Sequence, residues 1–218
     1  MEKIPVAELN SEVFLDKIKD HLENDGIIIY PTDTLYGIGC NFYSINAQEN
    51  IDIIKGRKNS PYSVAISNID HINKLISGSS SFFNAFAREE SLAKTTFIFK
   101  LNKNIDNRLV KGSNFIGIRI PDHQLIKKLI EHLGFPIIST SVNISGLPSL
   151  SSQDEIEKLI KDSGFSDQVF FIDEGELPYS NGSTIIDVSG KKATIVRKGD
   201  DHLRISNFIK DNSNIINT

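Results

Sequence analysis

Residues 26–41 read GIIIYPTDTLYGIGCN, and the character of the chain changes twice within them. Ile27, Ile28, Ile29 and Tyr30 form a β-branched and aromatic run behind Gly26, the pattern of a strand buried on both faces. Pro31 removes a ladder donor and ends it. Thr32, Asp33 and Thr34 then place two hydroxyls and a carboxylate at the strand's carboxyl end, where open α/β sheets hold their ligands. Gly37 and Gly39 read as a tight turn or a close approach to a ligand, either of which a side chain would hinder. The competing reading is an ordinary strand followed by a Pro-Thr-Asp turn.

On the amino-terminal side, residues 11–24 carry Phe14, Leu15, Ile18 and Leu22 on one face, with Ser11 placed to cap, so an amphipathic helix leads into the strand. On the other side, residues 46–54 have helical spacing and run into Lys55-Gly56-Arg57-Lys58. The result is a β-turn-α unit with a cationic exit. Taken alone, such an exit is a solvated helix end favoured by the helix dipole. In a binding site the same residues make a phosphate clamp, because Arg offers a fork and Lys a point charge.

Farther on, residues 62–66 form a short strand and residues 69–76 a helix closing at Gly78. Ser79, Ser80 and Ser81 open a helix bearing Phe82, Phe83 and Phe86, and residues 95–101 and 115–120 are strands. Arg119, between Ile118 and Ile120, must find an anion or reach solvent, since an unpaired buried charge is costly. Asp122 is read as the cap of a helix that buries Leu125, Ile126, Leu129, Ile130 and Leu133 and closes at Gly134. Ile137 and Ile138 then lead into the loop STSVNISG, residues 139–146, whose hydroxyls and amide suit a polar ligand or their own Ser and Asx turns. Ser152 and Glu155 form a capping box for a helix packed through Ile156, Leu159 and Ile160. Three strands (169–172, 184–188 and 194–196), a helix from Asp200 or Asp201 and a frayed tail complete the chain.

At 218 residues, with 39% hydrophobic and 24% charged, the chain suffices for one α/β domain with a full core, and no repeat or linker divides it. The expectation is a single domain over 1–218, with its core at about 11–211. A net charge of −4 argues against an electrostatically driven nucleic-acid binder. Cys40 is the only cysteine, and the five histidines lack HxxxH or HxH spacing, so no disulfide and no protein-held metal site are assigned. The opening residues have no apolar signal-type stretch and no run approaches 18 apolar residues, so a cytoplasmic protein without membrane contact is expected.

PTDTLYGIG, Lys55-Gly56-Arg57, GIRIP, STSVNISGLPS and the Ser183-Thr184 to Arg197 hairpin occur in that order over roughly residues 26–199. Together they resemble the YrdC-like domain of threonylcarbamoyl-AMP synthases. The most specific part is Lys-x-Arg followed far downstream by Ser-x-Asn, here Lys55, Arg57, Ser141 and Asn143. The resemblance implies an α/β (α+β) fold with a twisted, mixed, open sheet flanked by helices around a large concave active site. It implies a nucleotidyltransferase that makes L-threonylcarbamoyladenylate and pyrophosphate from L-threonine, bicarbonate and ATP. The product serves N6-threonylcarbamoyladenosine formation in tRNA, through a downstream threonylcarbamoyl transferase machinery and with room for direct tRNA contact.

Carried over by position, Lys55, Arg57, Ser141, Asn143, Ser149 and Arg197 are expected at ATP, with Lys55 and Arg57 taking the catalytic charge. Thr34, Arg119, Ser139 and Ser183 are expected at threonine, so that Arg119 meets the amino acid's carboxylate. Mg²⁺ is expected on the phosphates and not on protein ligands. Two departures stand out: Glu90-Ser91-Leu92-Ala93-Lys94 replaces a Trp-Pro-Gly-Pro segment of many relatives, and Ala65 stands where many have His. The chain resembles the short form, without the extra carboxyl-terminal domain of longer relatives. Two other readings stay open: an RNA-binding module of the same fold without catalysis, and a carbamoyl-adenylate-handling relative outside tRNA modification.

Overall fold

The computed structural model describes residues 1–57, 60–78, 80–150 and 152–212. Its first half contains β1 (Glu2–Pro5), α1 (Glu12–Glu23), β2 (Ile27–Tyr30), β3 (Gly37–Cys40), α2 (Ile45–Lys55), β4 (Ser63–Ala65), α3 (Ile72–Leu75), α4 (Ser81–Glu89) and β5 (Thr95–Lys100). Its second half contains β6 (Phe115–Arg119), α5 (Gln124–Leu133), β7 (Ile137–Ser141), α6 (Gln153–Ser163), β8 (Val169–Asp173), β9 (Thr184–Asp187), β10 (Thr194–Arg197) and α7 (His202–Asp211). The ten strands form one twisted mixed sheet in the order β1-β8-β2-β3-β7-β4-β6-β5-β9-β10.

Strand alternation explains why this sheet has a site on it. Along β4, β6 and β7, Val64, Ile116, Ile118 and Ile138 point to one face, where they join Phe97 and Phe99 of β5 and Ile186 of β9. Helices α2, α3, α4, α6 and α7 cover that face with Ile51, Leu75, Phe86, Ile160 and Phe208 among others. The opposite face is covered only in part, by Leu15, Ile18 and Leu22 of α1 and by Ile126, Leu129, Ile130 and Leu133 of α5. Beyond them the alternating positions Ser63, Thr96, Arg119, Ser139 and Ser141 become the floor of a cleft. Here the apolar pattern gives way to hydroxyls because this part of the face has no helix above it.

Several expectations change. Gly37 and Gly39 do not turn the chain: they lie in β3, antiparallel to β2 through pairs such as Tyr30 with Gly37, and residues 31–36 make the turn. A Cβ on Gly39 would sit 2.1 Å from the Ile138 carbonyl oxygen, so the glycine permits close packing of β3 on β7. Ser139, Thr140 and Ser141, read as loop, belong to β7, which therefore exceeds the Ile137–Ile138 pair. Asp122 is not the cap of α5: His123 holds that place, its Nδ1 accepting from Ile126 N at 3.3 Å, while Asp122 pairs with Lys127 at 3.0 Å. The core also begins earlier than residue 11, since β1 pairs in parallel with β8 and Ile4 and Leu9 are buried.

Local capping follows the sequence unevenly. Ser11 stands at the cap position of α1 without a side-chain bond, and Ser152 Oγ accepts from Glu155 N at 3.4 Å as one half of the expected box. Residues 69–76 divide into a 3-10 turn and the single turn α3. Ser80 caps α4, whereas Ser79, Lys58 and residues 213–218 of the tail lie outside the described residues. Cys40 is completely buried, and burial pushes its thiol pKa up, which leaves it an inert packed side chain. Among the described residues no helix is long and apolar enough to cross a membrane.

Candidate active site

The open part of the sheet holds a cavity of about 210 Å³ into which eight of the ten expected site residues project: Thr34, Arg57, Arg119, Ser139, Ser141, Ser149, Ser183 and Arg197. A second groove of about 420 Å³ shares Ser141, Ser149 and Arg197 with it and adds Asn143, with Leu147, Pro148, Leu177 and Pro178 as apolar walls. The two are continuous and together fall within the roughly 300–1,000 Å³ usual for small-molecule sites. Among the described residues, three arginines and no carboxylate line the main cavity.

Different elements bring these groups together. Thr34 comes from the β2–β3 turn, where Thr32 Oγ1 accepts from Thr34 N and Leu35 N at 3.2 Å each and donates to Leu35 O at 2.7 Å. Arg119 ends β6. Ser183 precedes β9, and its Oγ lies 2.9 Å from Thr96 Oγ1 and 3.2 Å from Arg197 Nη2. Arg197 reaches it because the β9–β10 register shifts between Ile195 and Arg197, and such a bulge re-aims the side chain. Arg197 Nη2 and Nε both donate to the Ser183 carbonyl, at 2.6 and 3.2 Å. At Gly199 two loops meet backbone against backbone, since a Cβ there would lie 2.3 Å from the Gly182 carbonyl oxygen.

Arg119 differs from expectation in one respect: a carboxylate already faces it. Its Nη2 donates to Asp33 Oδ1 at 2.6 Å, with side chains only 10% and 6% exposed. Asp33 Oδ2 accepts from the backbone N of Lys94, so the Glu90–Lys94 segment supports this carboxylate from behind and does not line the cavity. The pairing leaves Arg119 Nε buried without a partner, and Ser139 Oγ is in the same condition, while the neighbouring Tyr30 hydroxyl donates to Ile138 O at 3.3 Å. Buried polar atoms are rarely left so, and both belong to residues that line the cavity. Burial, and then the charge of Arg119, lower the pKa of Arg197, so an anion between them would relieve both guanidiniums.

Lys55 is the larger correction. It is not a solvated exit residue but 2% exposed, and it lines neither the cavity nor the adjoining groove. Its Nζ donates to Ser141 O at 2.5 Å, Asn143 O at 3.0 Å and Asn143 Oδ1 at 2.8 Å, while its carbonyl accepts from Ser145 N. Lys55 thus fastens the Ser141–Asn143 turn from beneath. Burial first, and then Arg57, lower its pKa to about 7, whereas the three oxygens around Nζ favour the charged form. Ala65 is wholly buried in the core beneath α5 and does not line the cavity.

Sequence reasoning placed Asp33 at the strand end without giving it the Arg119 contact, and missed Thr96, Ser63 and Tyr62 on the cavity wall. Thr96 carried a usable signal: it alternates with the core residues Phe97 and Phe99, which marks it for the other face of β5.

A hydroxyl-lined cleft with three guanidiniums, on the uncovered part of a mixed sheet, defines an α/β protein built to receive an anionic small molecule. The family model Sua5/YciO/YrdC, described as telomere recombination, matches residues 20–199. This chain belongs to that family. It is 33% identical over 204 residues to a putative threonylcarbamoyl-AMP synthase of Methanocaldococcus jannaschii, covering 90% of this chain and 92% of the relative. It is 28% identical over 176 residues to the uncharacterized protein YciO of Escherichia coli K12, covering 80% and 83%. The crystal structure of Pyrococcus abyssi Sua5 complexed with L-threonine superposes with a TM-score of 0.79 at 25% identity, covering 89% of this chain and 57% of that one.

Proposed function

We propose that this chain is an L-threonylcarbamoyladenylate synthase, a nucleotidyltransferase serving threonylcarbamoyladenosine formation in tRNA. The observation that carries the reading is the pair of partnerless buried polar atoms, Arg119 Nε and Ser139 Oγ, at the wall of a cavity lined by three arginines. An α-carboxylate satisfies a guanidinium edge, and a hydroxyl satisfies another hydroxyl. Threonine brings both groups. Thr34, Arg119, Ser139 and Ser183 are its binding residues. The polyphosphate lies across Arg57, Ser141 and Arg197, and the nucleoside follows the groove of Asn143 and Ser149 against the apolar walls.

The reaction asks for positioning and charge neutralisation. Threonine's free amine adds to bicarbonate with loss of water, giving N-carboxythreonine. A carbamate oxygen then forms a bond to the α-phosphorus of ATP, the bond from that phosphorus to the β-bridging oxygen breaks, and pyrophosphate departs with its electron pair. No covalent intermediate on the protein is required. Arg57 and Arg197 oppose the charge on the phosphates, and Arg119 and Ser139 fix the amino acid beside the α-phosphorus. Lys55 contributes by holding the Ser141–Asn143 turn in place. Mg²⁺, if it accompanies ATP, would be held by the phosphates and not by this chain, and would add to the charge neutralisation that Arg57 and Arg197 supply. The protein acts in the cytoplasm, in one domain, and passes its product to a threonylcarbamoyl transferase machinery.

Incubation with ATP, bicarbonate and either threonine or serine, followed by mass spectrometry, tests the reading. Threonylcarbamoyl-AMP should form with threonine and far less of the seryl analogue with serine. No adenylate with either, alongside steeply salt-dependent RNA retention on filters, would favour the RNA-binding alternative.

A further inference from the structure

Tyr62 is a buried residue whose ring lies beside Arg57 and whose hydroxyl points back to helix α2. The Arg57 guanidinium carbon stands 4.4 Å from the Tyr62 ring centroid, and Arg57 Nη2 donates to the Pro61 carbonyl at 2.8 Å. One face and one edge of the guanidinium are thereby fixed. Both side chains line the cavity, and among the described residues the Arg57 guanidinium bonds only to Pro61, so its remaining donors can serve a ligand. The Tyr62 hydroxyl donates to Asp52 Oδ1 at 2.6 Å, and the other Asp52 oxygen receives Lys111 Nζ at 2.6 Å, with side chains 18% and 13% exposed. Lys111 makes this contact from a left-handed backbone at φ +54°, a conformation that favours glycine.

We infer that Tyr62, tied by its hydroxyl to the Asp52–Lys111 pair, is a positioning residue that sets the plane of Arg57 for an anionic ligand. The inference rests on the reading of Arg57 as a contact for ATP phosphates. Packing alone would be served by a leucine at this place. It does not call for a phenol bonded to a carboxylate that is itself neutralised by a lysine from another loop. A flexible arginine stem loses much of its fork's directionality unless something holds the plane, and an aromatic face with a fixed hydroxyl does so.

Calorimetric titration of ATP and of threonine into the parent, Tyr62→Leu, Tyr62→Phe, Lys111→Met, Arg57→Ala and the double variant Arg57→Ala/Tyr62→Leu tests this. Tyr62→Leu should weaken ATP binding about tenfold. Tyr62→Phe and Lys111→Met, which loosen the ring without removing it, should weaken it about threefold. Threonine affinity should stay within about twofold in all of them, and Tyr62→Leu should add nothing once Arg57 is gone. Should Tyr62→Leu not fold, Tyr62→Phe keeps the ring and its volume and carries the same cycle. Additive losses in the double variant, or equal losses for both substrates, would overturn the inference while leaving the Arg57 assignment intact. Unchanged ATP affinity in Arg57→Ala would remove that assignment, and this inference with it.

Discussion

Asp33 Oδ1 and Arg119 Nη2 meet at 2.6 Å, and this contact joins the β2–β3 turn to the end of β6 across 86 positions of sequence. The pair neutralises most of a buried charge and still leaves Nε buried without a partner. Removing one member of such a pair typically costs about 3–5 kcal/mol. Asp33→Asn should therefore lower the melting temperature markedly. Threonine should recover more of the loss in this variant than it adds to the parent, because its carboxylate replaces the missing one. Thermal melts of both proteins with and without threonine check this; equal shifts would place Arg119 outside the amino-acid pocket.

Arg119→Lys tests the fork itself. An ammonium can keep the contact with Asp33 but offers nothing planar where Nε now lies. Threonine affinity should fall by about tenfold or more while ATP affinity is unchanged. Calorimetry with the two ligands separates the outcomes, and a fall for both would assign Arg119 to the scaffold.

The hydroxyls of Thr34, Ser139 and Ser183 predict a preference for threonine over valine, its near isostere. A site built to bond a hydroxyl leaves its own groups unpaired with an analogue that lacks one. The ratio of kcat/KM for adenylate formation should reach at least about a hundredfold. Comparable turnover of valine would remove threonine as the substrate.

Lys55 gives a pH-dependent expectation with a definite sign. Its folded pKa of about 7 lies below the ordinary 10.5, so between these values the unfolded chain binds more protons than the folded one. Below about pH 7 both states carry the charge and the cost of burying it is constant. As the pH rises towards 10.5, stability gains up to about 1.4 kcal/mol per pH unit from this residue. Lys55→Met should remove that slope. It should also lower stability overall, because the oxygens of Ser141 and Asn143 lose their donor. Denaturant titrations of both proteins from pH 6 to 9 measure the difference, and parallel curves would refute the shift.

Periodicity made much of this molecule legible in its sequence. The buried run of β2, the apolar face of α5 and the strands around Phe97 and Ile118 follow from patterns within each segment, because each segment's burial is dictated by its own residues. The cleft was legible as a set of residue types and as a family resemblance. Its pairings were not. That Asp33 faces Arg119, or that Lys55 turns inward beneath Ser141, depends on strand order and on which part of a sheet face is left uncovered. Residues 2–10 escaped notice because β1 is four residues long and only one of them is buried. Of the two readings of Gly37 and Gly39 the turn failed, because a glycine that admits a neighbouring backbone, as Gly39 does at Ile138, looks in one dimension like one that turns the chain, whereas Gly37 lines the cavity.

The crossing at Gly199 bears on how sequence variants of this protein should be interpreted. A methyl group there would meet the backbone of Gly182 and Ser183 at 2.3–2.4 Å, and backbone cannot rotate aside as a side chain can. Gly199→Ala would therefore wedge apart the two loops that deliver Ser183 and Arg197. Such a change would cost stability and ligand handling together, because Gly199 is also bonded to Thr184 of the sheet and to His202 at the start of α7. A defective variant at this position is to be read as misassembly of the frame around the site and not as the loss of one ligand contact.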